Sequence, residues 1–391
     1  MEQNKNIQLQ DFLDVNKQDK EGNTILMNMT CVSLGMTKFL LVSGANPNLV
    51  NNEGDNILMD ICKNVDITSC NMQKIDKLIE IYVKYNINLN LQNNKGHTAI
   101  MMLCNKITEQ NIGNFIEILK KYDFDVNLES ETGYTLAFHC LNDITPRTCE
   151  IIELLLKKGI DVNKQNKKHG WTLLMSACND IDVEGSLGII NILLENDADP
   201  NLFENENEHH FTPLMFICDN NANYTYNAIA IEYLINYGAN VNLKNKYNKS
   251  AIDIFIEKTT SGRNSDTFKN ILQILIGNGA KVDNKYLRQY PCIVDIVLEQ
   301  SQKMILQKNE RIKELESAFK YIPGNEGMLE AKKEFEEHSQ KQPENILEKD
   351  EKIKDLGSEL KYIPENDEMS EAKKEFEEHS QKQREKMREK N

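Results

Sequence analysis

Apolar residues recur along this chain in pairs of short segments, and a polar turn follows each pair. The first segment of a pair has the form GDNILMDIC or GWTLLMSAC, in which apolar residues follow an Asn or a Thr. The second segment, such as IIELLLKKG or IEYLINYG, has apolar residues three and four positions apart, which is the spacing of one helix face. The pattern therefore predicts a chain of paired helices joined by turns.

The paired pattern repeats seven times, and the Asn, Thr or Ser that opens the first segment marks its register. The spacings between successive marks are 32, 42, 37, 37, 40 and 38 residues. A side-chain oxygen at this position can accept hydrogen bonds from the free backbone N–H groups at a helix start. Because one helix pair cannot bury its apolar face alone, neighbouring pairs are expected to stack. The marks are Thr24, Asn56, Thr98, Thr135, Thr172, Thr212 and Ser250.

These segments resemble the ankyrin repeat, in which a Thr-Pro-Leu-His motif opens the first helix and a Gly-Ala-Asp/Asn-x-Asn turn follows the second. The resemblance extends over roughly residues 10–285, with seven copies in register. It implies an all-α fold, an ankyrin-repeat solenoid of paired helices with hairpin-like loops. We assign residues 1–300 to this array, as seven repeats plus terminal caps.

Two features depart from the family pattern. Met replaces the family's His in five copies, which would remove a hydrogen bond worth about 0.5–1.5 kcal/mol and add flexible apolar packing. Most repeats also exceed the family's length of about 33 residues, so we expect an irregularly curved array. Long, Asn-rich repeats of this type look like those of giant DNA viruses and low-GC intracellular microbes. The replacing residues are Met27, Met59, Met101, Met175 and Met215.

A different repeat follows Pro291 and the apolar segment CIVDIVLEQ. The segment that begins NERIKELES returns 41 residues later as DEKIKDLGS, and AKKEFEEHSQKQ is identical in the two copies. Ile305, Ile312 and Phe319 lie seven residues apart, a spacing that predicts an amphipathic helix with a heptad stripe. Pro323 would end this helix, because proline disrupts the helical hydrogen-bond pattern.

We assign residues 301–391 to this helical C-terminal tail of two tandem repeats. Pro364 would end the long helix of the second copy. Each heptad stripe spans fewer than three heptads, so a stable coiled coil does not follow from it. Three interpretations stay open: helical hairpins that pack on themselves, a self-association element, or a solvated helical tail.

The charge and hydropathy of the chain disfavour several partners and locations. The formal net charge is −15 and the pI is near 5.1, which disfavours nucleic acid and anionic membranes because both are negative. The first residues lack an apolar core after a basic start. No apolar run approaches the roughly 20 residues that cross a bilayer. We therefore expect a cytoplasmic protein, in its own cell or in a host, with reduced cysteines.

The cysteines follow the repeat and not a metal-binding or redox motif. Packed helices lie about 8–10 Å apart, whereas a disulfide needs Cα atoms within about 7 Å. Equivalent cysteines of adjacent repeats are therefore expected to be unbridged, to hold no zinc, and to be buried as small hydrophobes. Cys62, Cys104, Cys178 and Cys218 occupy one repeat position, and Cys31 and Cys140 lie one residue to either side of it.

No set of residues predicts catalysis, a metal site or a cofactor site. His209 and His210 are the only adjacent histidines, and neighbouring side chains in a polar loop are expected to point apart rather than chelate. Cys149 has only Arg147 as a basic neighbour in sequence, which is weak support for a nucleophile. We predict no catalytic, metal-binding or cofactor-binding residue.

One position of the repeat, directly before the mark, carries a ring in four successive copies. The resemblance places it beside the hairpin finger on the concave side, together with the two positions before the preceding Gly. Such rings either pack and stiffen the fingers or anchor a partner protein, where truncation of a Trp or Tyr costs about 2 kcal/mol or more. Trp171 is the strongest candidate anchor. The candidate binding residues are His97, Tyr134, Trp171, Phe211, Asn94, Lys95, Lys168 and His169.

The resemblance implies a non-enzymatic protein that binds another protein through its concave face. It implies no cofactor, and the charge leaves out nucleic acid and membranes as partners. Two alternatives stay open: a structural protein that oligomerises through the helical tail, or an effector whose activity lies in an unrecognised tail fold.

Overall fold

The computed structural model describes residues 14–28, 34–64, 69–142, 144–181, 185–205, 209–220, 224–259 and 266–319. The chain divides into two compact units, Met1–Ala280 and Lys281–Asn391. The described part is helical, and its only β-pairing is an isolated bridge between Gln18 and Thr24. The predicted all-α class is confirmed.

In the described part of the first unit, seven short inner helices alternate with seven outer helices. The inner helices are α1 Ile25–Asn28, α3 Ile57–Asn64, α5 Ala99–Cys104, α7 Leu136–Cys140, α9 Leu173–Asn179, α11 Pro213–Asp219 and α13 Ala251–Lys258. The outer helices are α2 Leu34–Val42, α4 Ser69–Lys84, α6 Ile112–Lys121, α8 Thr148–Lys157, α10 Ser186–Glu195, α12 Tyr224–Asn236 and α14 Asp266–Gly277. Each inner helix begins directly after a mark, as the pattern predicted.

From one repeat to the next, inner helices pack on inner helices and outer helices on outer helices. The inner row is continuous from α1 to α13, and the outer row is continuous from α4 to α14. The apolar residues that define the repeat fill the space between the rows, and Leu173, Leu174 and Met175 of α9 are at most 1 % exposed. This stacking of helix pairs is the predicted solenoid.

Five of the marks, Thr24, Asn56, Thr98, Thr172 and Thr212, cap their inner helices through a side-chain oxygen, whereas Thr135 makes no such bond. The Thr98 hydroxyl accepts a hydrogen bond from the N–H of Met101 at 3.4 Å. At the next-but-one repeat the bond is reciprocal: the Thr172 hydroxyl accepts from the N–H of Met175 at 3.2 Å, and the Met175 sulfur accepts from the N–H of Thr172 at 3.4 Å. Met in place of the family's His therefore keeps a weak return bond in this copy, where we had expected it to be lost.

Asparagines link the turns that follow the outer helices. The Asn127 amide donates to the carbonyl of Gly159 at 3.0 Å, and its oxygen accepts from the N–H of Asp161 at 3.2 Å. One carboxamide thus satisfies a donor and an acceptor of the next turn, which explains why the repeats are rich in Asn. Both bonds are also made by Asn16, Asn48, Asn163 and Asn201, while Asn90 accepts from the N–H of Asp125 and Asn242 donates to the carbonyl of Gly279.

Three of these turns, after α4, α6 and α10, lack the glycine that usually ends a helix, and in the first and third another residue adopts the left-handed conformation. Asn86 and Asp197 take its place with φ of 59° and 64°. Asn and Asp tolerate the left-handed region better than other residues with a side chain. The left-handed conformation is therefore kept in two of the three copies where the glycine is missing, whereas the turn after α6 continues through Tyr122 with φ of −115°.

The second unit contains two described helices, α15 Asn284–Gln289 and α16 Pro291–Phe319. Helix α16 continues past residue 300, and the division into an array of residues 1–300 and a tail of residues 301–391 stays a prediction. Within the described residues, no helix combines the length and apolar character needed to span a bilayer.

Helix α16 contains the first predicted heptad stripe. Ile305 and Ile312 are partly exposed on it, and the neighbouring Leu306 is 61 % exposed. The predicted helix ends at Pro323 and Pro364 and the second copy of the tail repeat lie outside the described residues.

Candidate protein-binding face

A loop closed by its own hydrogen bonds precedes each inner helix, and we call these seven loops the finger loops. In each one the first residue donates its N–H to the carbonyl of the last. The first residue's side chain also accepts from N–H groups inside the loop; Asn93, for example, accepts from Lys95 at 3.0 Å and from His97 at 2.9 Å. The finger loops are residues 19–23, 51–55, 93–97, 130–134, 166–171, 204–211 and 245–249.

Backbone hydrogen bonds join successive finger loops at their tips. The N–H of Glu131 donates to the carbonyl of Lys95 at 3.0 Å, and the N–H of Lys167 donates to the carbonyl of Thr132 at 3.0 Å. Gly133 sits at the second junction with φ of +78°, and a Cβ there would lie 2.3 Å from the backbone nitrogen of Lys167. Glycine is therefore required both by conformation and by the close approach of the next loop. We call the joined loops the finger row.

The candidate residues that precede the glycines lie at these tips. Asn94, Lys95 and Lys168 are exposed, and His169 is half-buried. The Asn94 amide donates to the carbonyl of Asn52 in the preceding finger loop at 3.0 Å. The tips therefore present exposed polar groups on a backbone held in place by the finger row.

The first two candidate rings belong to one cluster. His139 of α7 packs edge-to-face between them, with its centroid 5.4 Å from His97 and 6.1 Å from Tyr134. The Tyr134 ring also stacks on Phe138 at 5.4 Å. His97 and Tyr134 are half-buried, so each keeps part of its ring at the surface. We call His97, Tyr134, Phe138 and His139 the His97 cluster.

His139 is the buried polar member of this cluster. Its Nδ1 lies 3.0 Å from the amide oxygen of Asn105, and within the described residues its Nε2 has no hydrogen-bond partner. Burial, and secondarily the charge on His97, lowers the pKa of His139 to about 4. Burial also lowers the pKa of His97. Both imidazoles are therefore neutral near neutral pH.

The other two candidate rings belong to a second cluster. The Phe216 ring of α11 lies between them, 5.0 Å from Trp171 and 5.6 Å from Phe211. His209 continues the chain of rings, 5.2 Å from Phe211 and 6.2 Å from Tyr247 of the next finger loop. We call His169, Trp171, His209, Phe211, Phe216 and Tyr247 the Trp171 cluster. Trp171 is half-buried, but Phe211 is only 7 % exposed, so Phe211 packs rather than presents its ring.

A buried carboxylate holds the Trp171 cluster together. Glu204 is 3 % exposed. Its Oε2 accepts from the indole N–H of Trp171 at 2.7 Å. Its Oε1 accepts from the backbone N–H groups of His209 and Phe211, each at 3.1 Å. Three donors thus compensate the burial of this acceptor and fix the orientation of the indole ring.

Charges of both signs lie along the finger row. Glu129 pairs with Lys164 at 2.5 Å and with Lys167 at 2.8 Å. Hydrogen bonds from these two lysines hold the pKa of Glu129 below its usual value. The exposed ammonium groups contribute little stability by themselves. The mixed charge gives the finger row no single sign that would select a partner.

Sequence reasoning missed the residues that connect the candidate rings. His139 and Phe216 both lie four positions after a mark, and this spacing puts them on the inner-helix face beside the finger loop. Reading that position together with the ring position would have found both. Glu204 occupies a loop position where most copies have Asn or Ser, and no local signal predicted its bond to Trp171.

Five of the six cysteines that the repeat pattern predicts to be buried are buried, and Cys31 lies outside the described residues. Cys62, Cys104, Cys140, Cys178 and Cys218 are free thiols with exposures of 5 % or less. Burial raises the pKa of the Cys62 thiol to about 12, and it also raises the pKa of the Cys104, Cys178 and Cys218 thiols, so these four are protonated near neutral pH. Cys140 is not at the repeat position equivalent to that of Cys104, so the spacing between packed helices does not keep the two apart. Its sulfur lies 2.8 Å from that of Cys104.

The described residues contain no group of three or more His, Cys, Asp or Glu side chains arranged to hold a metal ion. The adjacent histidines take different partners. The His209 ring lies against Phe211, whereas the His210 ring stacks on Phe203 at 4.3 Å. His210 also has its Nδ1 3.0 Å from the carbonyl of Glu204, so the pair does not converge on one point.

Comparison with known proteins identifies the repeat. A family model described as ankyrin repeats (3 copies) matches residues 108–204, and one described as ankyrin repeat matches residues 21–52 and 209–246. No curated protein matches the chain in sequence. Similar solved structures include the ankyrin repeat domain of Bcl-3, a member of the IkappaB family, at 18 % identity and a TM-score of 0.46, covering 60 % of this chain and 95 % of that one. The human ASB11 ankyrin repeat domain is similar at 18 % identity and a TM-score of 0.44, covering 67 % of this chain and 100 % of that one.

Proposed function

Because this chain carries ankyrin repeats, and because such domains are generally protein–protein interaction modules, we propose that it is a non-enzymatic scaffold that binds a partner protein along the finger row. The binding residues are the tip residues Asn94, Lys95, Lys168 and His169 and the rings of His97, Tyr134 and Trp171. Phe211, which is buried, supports the Trp171 ring and does not touch the partner.

The bond between Trp171 and Glu204 is the observation that carries this proposal. A half-exposed indole whose N–H is already bonded at 2.7 Å loses little conformational freedom when a partner covers it. Ordered side chains at an interface otherwise cost about 0.5–1.5 kcal/mol each. Interface hot spots are enriched in Trp for this reason and for its large contact area.

The partner is expected to be a protein and not nucleic acid or an anionic membrane. The net charge of −15 repels both of those polyanions. The mixed charges of the finger row instead suit a protein surface with polar groups around an apolar centre.

The test begins with capture of a partner from source-cell lysate by the full-length protein and its identification by mass spectrometry. Affinity is then measured with the purified partner. Trp171→Ala is expected to weaken binding about 30-fold, the equivalent of about 2 kcal/mol. Tyr237→Ala is the matched control, because Tyr237 is an exposed ring (43 %) at the end of an outer helix and away from the finger loops.

Circular dichroism must first show that both variants keep the helical signal of the wild type. The proposal is contradicted if Trp171→Ala binds as tightly as the wild type, or if Tyr237→Ala loses as much affinity. In either case the binding surface lies elsewhere on the protein, and the Trp171 cluster contributes only to packing.

A second candidate function is assembly through the helical tail, and exposed apolar residues on α16 favour it. Leu306 is 61 % exposed and Met304 is 38 % exposed, and their burial in a second copy would be favourable. Sedimentation of the full chain is expected to show a larger species as concentration rises, and Leu306→Lys is expected to abolish it. A sedimentation coefficient that does not change with concentration would exclude this function. The third alternative, an effector activity in the tail, concerns residues 301–391, of which residues 320–391 lie outside the described part.

A further inference from the structure

Two cysteines meet between the third and fourth repeats. Cys104 is the last residue of α5 and Cys140 is the last residue of α7, and these inner helices pack on each other. Both are free thiols, 4 % and 5 % exposed, and their sulfur atoms lie 2.8 Å apart. The contact depends on register, because Cys140 lies one residue earlier in its repeat than Cys104 does in its own.

The short distance distinguishes between the chemistries open to two thiols. A disulfide bond is about 2.0 Å long, so the sulfurs are within about 0.8 Å of bonding. Two thiolates on a tetrahedral zinc would lie about 3.8 Å apart, given Zn–S bonds of about 2.3 Å. The described residues also offer no third ligand arranged for a metal there. The geometry therefore favours a sulfur–sulfur bond over a shared metal ion.

A small cavity adjoins the pair. Its volume is about 20 Å³, and its lining includes Cys104, Cys140, His139, Asn105 and Thr148. A cavity volume of roughly 10–15 Å³ is enough to admit a water molecule. Ile107, Ile112 and Ile151 complete the lining, which is therefore mixed in polarity. The size suits a small oxidant rather than a bulky one.

We propose that Cys104 and Cys140 are an oxidisable pair that forms an inter-repeat disulfide with hydrogen peroxide. One thiolate attacks a peroxide oxygen, which gives a sulfenic acid and hydroxide, and the hydroxide takes up the proton that the thiol released. The second thiol then displaces water from the sulfenic sulfur and forms the S–S bond. In total two thiols and one peroxide give one disulfide and two waters.

Burial sets the rate of this reaction. It raises the pKa of the Cys104 thiol, so the reactive thiolate is scarce near neutral pH and oxidation is expected over hours rather than seconds. The product would tie α5 to α7 directly beside His139, whose ring lies between His97 and Tyr134. Oxidation would thus lock the junction of two repeats at the His97 cluster.

Cys178 is a control for Cys104 within the same chain. Cys178 occupies the same repeat position as Cys104, but the residue of the next repeat that corresponds to Cys140 is Ile217. Cys178 is fully buried like Cys104. It is therefore a matched cysteine of the same depth and the same repeat position but with an apolar residue at the partner position.

Peptide mapping of the full-length protein tests the proposal. The folded protein is treated with hydrogen peroxide, its remaining thiols are alkylated, and it is digested with trypsin. Cleavage places Cys104 alone in peptide 96–106 and Cys140 alone in peptide 122–147. The expected result is a linked pair of these two peptides, lighter than their sum by about 2 Da because two hydrogens are lost. The pair should persist in Cys178→Ala and disappear in Cys140→Ala.

A second measurement does not depend on access of the oxidant. The protein is unfolded, refolded in a buffer of oxidised and reduced glutathione, and melted with and without a reductant. The disulfide closes a long loop and is expected to raise Tm by about 5 °C in the wild type and in Cys178→Ala. Cys140→Ala should show no such difference. Failure to form the 96–106/122–147 link in both the peroxide and the refolding experiment would overturn the proposal, as would links of Cys104 or Cys140 to other cysteines in equal yield.

Discussion

The His97 cluster and the Trp171 cluster are both built on rings at the same repeat position, but they differ in the residue that connects those rings. In the first, a histidine connects the rings, and its buried Nε2 has no partner within the described residues. In the second, a phenylalanine connects the rings, and Glu204 satisfies the indole N–H. The inner-helix residue four positions after the mark, His139 in one and Phe216 in the other, makes the difference. One cluster is therefore sensitive to protonation and the other is held by apolar packing and a buried carboxylate.

The largest effect is expected from removing the connecting phenylalanine. Phe216→Ala deletes a ring that is 8 % exposed and touches both Trp171 and Phe211, and such truncations cost about 3–5 kcal/mol. Urea unfolding measures the loss. Trp171 is the only tryptophan, so its emission should shift to the red as water reaches the indole. Phe138→Ala in the His97 cluster is the control, and an equal emission shift there would contradict the separation of the clusters.

Removal of the buried carboxylate of Glu204 is expected to have the second-largest effect on the free energy of unfolding. Glu204→Ala leaves the indole N–H and two backbone N–H groups without their acceptor, which should lower the free energy of unfolding by about 3 kcal/mol. Glu131→Ala, at an exposed tip of the finger row, should change it by less than about 0.5 kcal/mol. Similar losses in the two variants would show that Glu204 does not hold the cluster.

Acid is expected to lower the free energy of unfolding through His139 of the His97 cluster, by a smaller amount than the two substitutions above. Folded His139 has a pKa of about 4, against 6.5 for a free histidine, so the unfolded state binds more protons between these values. The stability is full above pH 6.5, and at pH 5 it should be lower by about 2 kcal/mol from this residue. His139→Gln should remove this part of the pH dependence, while the depressed pKa of His97 leaves a smaller part. The same pH slope in wild type and His139→Gln, measured by urea unfolding, would contradict the assignment.

The smallest effect on stability is expected at the tips of the finger row. Lys95 and Lys168 are exposed, so the double variant Lys95→Ala/Lys168→Ala should change the free energy of unfolding by no more than about 0.5 kcal/mol. Its effect on partner affinity should be larger than its effect on folding, because the proposed function places both residues in the interface. A stability loss above about 1 kcal/mol, by urea unfolding, would assign these lysines a structural role instead.

Local patterns were sufficient to predict the repeat, its helix starts and its turns. The hydrogen bonds behind them lie within a few residues of one another, as in the caps at Thr98 and Thr172. The resemblance to the ankyrin repeat placed the candidate rings beside the finger loops, and the repeat register placed the five described cysteines of the inner helices in the core. The local patterns also predicted a turn after each helix pair, and in two of these turns Asn86 and Asp197 adopt the left-handed conformation in place of glycine.

Contacts between repeats could not be read from the chain, since they depend on how each helix pair stacks on the next. Repeats spaced 37 and 40 residues apart in these regions bring together side chains that no local motif connects, such as Cys104 with Cys140 and Trp171 with Glu204. A one-residue offset brought the two sulfurs within 2.8 Å, although helix spacing separates equivalent positions by about 8–10 Å. Short-range hydrogen bonding is encoded by neighbours in the chain, whereas packing across a repeat boundary is decided by the three-dimensional register of two helix pairs.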